Sequence, residues 1–100
     1  MFGILIQYNY EGDEAAWKAA VSEFVTNIDA DPKLRGNFSY RVNIAADGIG
    51  RVHVGRWDSE DVLAHLQSQD FFKTFAQKVG EFAGGAQQVT RLTAAAGTAA

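Results

Sequence analysis

Residues Phe38-Ser39-Tyr40-Arg41-Val42-Asn43-Ile44 alternate apolar with polar, and a period of two predicts a strand with one buried face. Asp47-Gly48-Ile49-Gly50 follows with turn chemistry and Arg51 to Trp57 runs back, so the two segments read as a hairpin. Phe2 to Tyr10 is mostly Ile, Leu, Phe and Tyr and stops at Glu11-Gly12-Asp13, which predicts a buried strand closed by a turn. From Asp13, a capping residue, to about Ala30 the bulky residues change period: Trp17, Val21, Phe24 and Ile28 recur at three- and four-residue steps, the signature of an amphipathic helix. Asp31-Pro32 stops it, because the residue before proline is pushed out of helical geometry. Asp58 or Ser59 caps a second helix whose first turn carries Glu60 and Asp61, where the helix dipole favours negative charge. Its apolar stripe runs from Val62 to Phe82 but falters at Ser68-Gln69-Asp70, which predicts a kink, or a break with a new helix capped by Ser68. Gly84-Gly85 ends the helix, and Gln87 to Leu92 reads as a last strand.

The order strand, helix, strand, strand, helix, strand predicts an α+β, ferredoxin-like βαββαβ fold, an antiparallel sheet with its helices on one face. One sheet face is then left without a cover. The simplest cover for an apolar face on so small a domain is the same face of a second copy, so a homodimer is expected. One hundred residues fit a single domain, placed at residues 2–92, and the small, uncharged residues 93–100 are expected to form a flexible tail.

Composition narrows the chemistry. Seven Phe, three Tyr and two Trp within 47% hydrophobic residues supply a packed core and aromatic walls. A formal net charge of −3, with no stripe of Lys or Arg, argues against nucleic acid as a partner. Without cysteine there is neither a disulfide nor a thiolate nucleophile, and two His with no carboxylate at ligand spacing do not make a metal site. The opening Met-Phe-Gly-Ile-Leu-Ile turns polar at Gln7, has no charged leader and is far shorter than a membrane span of ~20 residues; a cytoplasmic protein without membrane association is expected.

His53 and Trp57 lie four apart on the strand after the turn and therefore share a face. His53 is the candidate catalytic residue: an imidazole of ordinary pKa near 6.5 is suited to take a proton from a phenol or hydroquinone. Gly55, between them, leaves room for a flat ligand to approach the backbone. Trp57 can stack on such a ligand and donate from its indole N–H. His65 flanks the apolar stripe of the second helix and reads either as a substrate-binding residue or as a buried His bonded to a backbone carbonyl. Gln7 and Asn9 share a face of the first strand and are candidates to fix a substrate carbonyl.

Trp57-x-Ser59-Glu60 followed by His65, Ser68, Phe72 and Phe75, on the second helix of a βαββαβ chain of this length, resembles the antibiotic biosynthesis monooxygenase group of dimeric α+β barrel proteins, over residues 2–92. That group includes cofactor-free oxygenases of aromatic polyketides, quinol oxygenases, haem-degrading enzymes and members of no known activity. The haem-degrading branch has a His late in the second helix, a Trp on that helix and an Asn on strand one. Here those places hold Phe75-Ala76-Gln77, Leu66 and Leu5, which argues against haem. Of the polyketide branch's Asn, Trp and Tyr, only the Trp is matched, by Trp57; His53 stands for the Asn and Leu63 for the Tyr. The resemblance implies a cofactor-independent monooxygenase acting on a small aromatic, with no metal or flavin because the substrate supplies the electrons. The alternative it leaves open is a non-catalytic, small-molecule-binding or stress-related dimeric barrel.

Overall fold

The computed structural model describes residues 1–99. Its elements are β1 (Phe2–Asn9), α1 (Glu14–Ala30), β2 (Phe38–Ile44), β3 (Gly50–Trp57), α2 (Glu60–Ser68), α3 (Asp70–Phe82) and β4 (Gln88–Thr93). The four strands form one antiparallel sheet in the order β2-β3-β1-β4, which is the ferredoxin-like α+β arrangement expected from the element order. The local signals account for most boundaries. Asp13 caps α1 by accepting from the N–H groups of Ala15 and Ala16, and Ser59 caps α2 by accepting from Asp61 N–H. Gly84 and Gly85 take positive φ values of 61° and 77° directly after α3, a conformation that glycine enters without steric cost.

The break at residues 68–70 resolves into two helices. Gln69, extended at φ −81°, ψ 140°, is the residue at the start of α3, and no side chain caps that helix. Ser68 turns back instead, its Oγ donating to His65 O at 2.6 Å, so it closes α2 rather than opening α3.

The register puts Phe2, Ile4, Ile6, Tyr8 and Tyr10 of the first strand segment on the face that also carries Arg51, His53, Gly55 and Trp57 of β3. The helices cover that face. Trp17, Phe24 and Ile28 of α1 and Phe75 and Val79 of α3 are buried with it in one cluster, where the Phe24 and Phe75 rings stack at 3.9 Å. Coverage is uneven: every residue of β4 is exposed, and Val89, whose side chain is on the helix side, is 55% exposed. β4 is a sheet edge, paired only with β1 and reached by little of the helical layer. No helix among the described residues is long and apolar enough to cross a membrane.

Candidate functional site

Between the sheet and helices α2 and α3 lies a cavity of about 210 Å³. Its walls are aromatic and aliphatic: Phe38, Tyr40 and Trp57 from the sheet, Leu66 from α2, Phe72 and Phe75 from α3. Gln87, Val89 and Arg91, in and just before β4, line its remaining side, where the sheet edge is open. The size is below the roughly 300–1,000 Å³ that holds a drug-sized ligand, so it suits one or two fused rings. Arg91 is the one charged residue among those lining it.

A chain of hydrogen bonds crosses the core and ends in the cavity wall. Trp17 Nε1–H donates to Tyr8 Oη at 2.9 Å; Tyr8 Oη lies 2.8 Å from His53 Nε2; His53 Nδ1 lies 2.7 Å from Tyr40 Oη. The direction of the protons follows from counting donors. Tyr8 is 6% exposed and has no polar side-chain partner besides Trp17 and His53, so its own O–H must go to His53 Nε2 or be buried unspent. His53 then carries its proton on Nδ1 and donates it to Tyr40, and the Tyr40 O–H remains free to bond outside the chain. Burial pushes the His53 imidazole down from 6.5 to about 4, so it is neutral at physiological pH. Burial likewise raises the Tyr40 phenol far above its ordinary value, which keeps it a donor.

His53 itself has no exposed surface, and each ring nitrogen is taken by a tyrosine. It is absent from the cavity wall and communicates with it through Tyr40. Trp57 does line the cavity, stacked on Phe38 at 5.5 Å and 1% exposed. Its Nε1–H has no partner in the protein, and neither does Gln87 Oε1 on the opposite side of the same cavity, although both atoms are shut off from bulk solvent. A buried donor or acceptor left unmade costs about 1–3 kcal/mol, so two residues that line the cavity each carry an unsatisfied polar atom.

The other residues singled out in the sequence are elsewhere. Gln7 and Asn9 are exposed on the opposite sheet face from the cavity, because their parity along β1 is opposite to that of Ile6 and Tyr8. His65 turns to α1: its Nε2 lies 2.7 Å from Asp31 Oδ2, and this pairing holds the Asp31 carboxyl below the usual carboxylate range. Gly55 is not an opening either. A Cβ there would come within 3.0 Å of Ile4, 3.2 Å of Tyr40 and 3.3 Å of Phe38, so the missing side chain admits those neighbours rather than a ligand. Among the described residues no group of three or more His, Asp or Glu side chains could hold a metal ion.

Tyr8, Tyr40, Gln87 and Arg91 were not singled out from the sequence. Tyr40 had a signal: it alternates with polar residues on the buried face of β2, and a hairpin turn at Asp47-Gly48 sets it opposite Gly55, beside His53.

The comparisons agree on the fold. No family model matches the sequence, and no curated protein matches it. Among solved structures, the chain is similar to Rv0793 from Mycobacterium tuberculosis at 22% identity, covering 99% of this chain and 98% of that one, with a TM-score of 0.76. It is similar to SnoaB, a cofactor-independent oxygenase from Streptomyces nogalater, at 13% identity over 99% and 97% of the two chains, TM-score 0.76. A structure of an antibiotic biosynthesis monooxygenase matches at 11% identity over 96% and 100% of the two chains, TM-score 0.64. What these matches show is the fold: the ferredoxin-like α+β fold, shared with SnoaB and with that monooxygenase structure.

Proposed function

We propose that this protein is a cofactor-independent monooxygenase of a small electron-rich aromatic, a phenol or quinol of one or two fused rings. One observation carries the reading: an aromatic-walled cavity lined by two residues whose hydrogen-bond donors the protein does not use itself, the Trp57 N–H and the O–H of Tyr40. Donors set in a low-dielectric site stabilise an oxygen that becomes negative, and they need no reorganisation when it does. A bound phenol loses its proton to water, and Tyr40 and Trp57 hold the phenolate. The phenolate passes one electron to dioxygen; superoxide and the aromatic radical combine at a ring carbon bearing hydrogen, the peroxide takes back a proton from water, and the hydroperoxide loses water to leave a quinone. One oxygen atom enters the product and the other departs as water, with all electrons drawn from the substrate. His53 is a positioning residue in this scheme, aiming the Tyr40 O–H through its Nδ1.

The outer sheet face, where Leu5, Val52 and Val54 are only half-buried and Leu92 is 40% exposed, supports a homodimer formed across it. The alternative of a dimeric binding protein without turnover is favoured by one feature, the absence of a free base among the residues lining the cavity.

The test is oxygen consumption by the purified protein with dihydroxynaphthalenes and hydroquinones, above autoxidation, with three-ring anthrone as an oversize comparator. Turnover that falls about 100-fold in Tyr40→Phe supports the oxygenase. Tight binding of the same compounds with no oxygen uptake selects the binding protein, and light scattering in the same buffer reads the dimer mass.

A further inference from the structure

Arg91 is out of keeping with the rest of the cavity wall. It lies on β4 opposite Ile4 of β1, on the helix side of the sheet, and is the one charged residue among those that line the cavity. Its guanidinium stands 5.2 Å from the centre of the Trp57 ring. Among the described residues it makes no hydrogen bond and no ion pair, whereas Arg51, toward the other end of the same sheet face, is bonded through every nitrogen. A solvated surface arginine would explain Arg91 by itself, but not the buried, unpartnered donor of the ring beneath it. The Trp57 indole beneath the guanidinium has its N–H enclosed and unpartnered, and Gln87, four residues before Arg91, has an enclosed, unpartnered Oε1. A cation and a neutral donor therefore belong to one end of an apolar slot, and the unpartnered acceptor to the other.

The geometry points to a ligand that is an aromatic acid: a hydroxy-substituted one- or two-ring carboxylate, with its carboxylate on Arg91 at the β4 edge and its ring in the slot. This rests on the reading of the cavity as an aromatic site and deepens it by naming the substrate class. The guanidinium fork matches a carboxylate with two parallel hydrogen bonds, and it does so at the mouth, where the charge keeps part of its hydration. The Trp57 N–H serves an oxygen of the same edge of the ligand. A neutral polycyclic ligand would leave the Arg91 charge unspent, and a purely apolar one would leave the Trp57 donor unmade as well.

The experiment is a calorimetric titration of the full chain, under nitrogen so that no turnover intrudes, with 1-hydroxy-2-naphthoate and with its methyl ester. The same titrations are made on Arg91→Gln and Arg91→Lys, both of which alter an exposed side chain on an edge strand. The wild-type protein is expected to bind the acid at least about tenfold more tightly than the ester, with the preference falling in high salt. Arg91→Gln is expected to abolish that preference, and Arg91→Lys to keep part of it, since the charge stays and the fork is lost. Equal binding of acid and ester by the wild type, or an acid preference that survives Arg91→Gln, overturns the assignment while leaving the aromatic site intact. If neither compound binds, both this assignment and the aromatic site fall. Acid preference that depends on Arg91 stands whether or not oxygen is later consumed, so the substrate class and the oxygenase chemistry fail separately.

Discussion

Arg51 and Trp57 stand near opposite ends of the inner face of β3, and the protein treats their nitrogens in opposite ways. At Arg51, Nε donates to Ile49 O, one terminal nitrogen to Glu14 at 3.1 Å, and the other to the carbonyls of Tyr10 and Gly48 and to the second Glu14 oxygen. The guanidinium also lies 4.3 Å from the Trp17 ring centre. This saturated end ties the β2–β3 turn to the start of α1 and has nothing left to offer a ligand. At the other end Trp57 is as deeply buried, stacked on Phe38, with its N–H unbonded. Burial alone therefore does not separate structure from function here; the difference lies in whether the buried polar atoms are satisfied.

Removing Arg51 should have the largest effect on stability. Arg51→Ala empties a fully buried position and leaves the carbonyls of Tyr10 and Gly48 without their donor, and should cost about 3 kcal/mol in urea denaturation. A loss below about 1 kcal/mol would remove the contrast between the two ends.

His53, between them, sharpens the comparison through pH. Its folded value of about 4 lies below the 6.5 of the free imidazole, so between those values the unfolded chain binds a proton that the folded chain refuses. Stability should therefore be complete above pH 6.5 and fall by up to about 1.4 kcal/mol per unit as pH drops toward 4. Asp31, Glu14 and Asp47, whose carboxyls are held below their ordinary values, add acid sensitivity only at still lower pH. Thermal melts from pH 4 to 7 read the slope, and His53→Asn should flatten it.

The smallest stability change belongs to Trp57→Phe. It keeps a ring on Phe38 and removes a donor that has no partner, so stability should move by less than about 1.5 kcal/mol while affinity for a hydroxynaphthoate drops about tenfold. Unchanged affinity would mean that the orphan N–H is not a ligand donor.

What could be read from the sequence was local. The β2–β3 hairpin was legible because alternation and an Asp-Gly turn determine it together, and that places His53, Trp57 and Tyr40 on one face. The pairing of Ile6 with His53, which brings Tyr8 to the ring, joins segments 47 residues apart whose register no local signal encodes. Gln7 and Asn9 had the right parity for the outer face; what the sequence lacked was the side on which the cavity lies. His65 found Asp31, a partner 34 positions away, and helical periodicity cannot foresee such a pairing. Arg91 escaped notice because one arginine in a short strand carries no pattern, and its meaning comes from Trp57 beneath it.

The enclosure of His53 also gives the molecule a built-in spectroscopic reporter. Its Nδ1, the protonated nitrogen by the count of donors, lies 2.7 Å from Tyr40 Oη in a ring with no solvent-exposed surface, so exchange with water is slow and the proton should give a resolved, far-downfield resonance. Because Tyr40 faces the cavity on its other side, any molecule that engages its hydroxyl shifts that resonance, and occupancy can be followed on unmodified protein without a label.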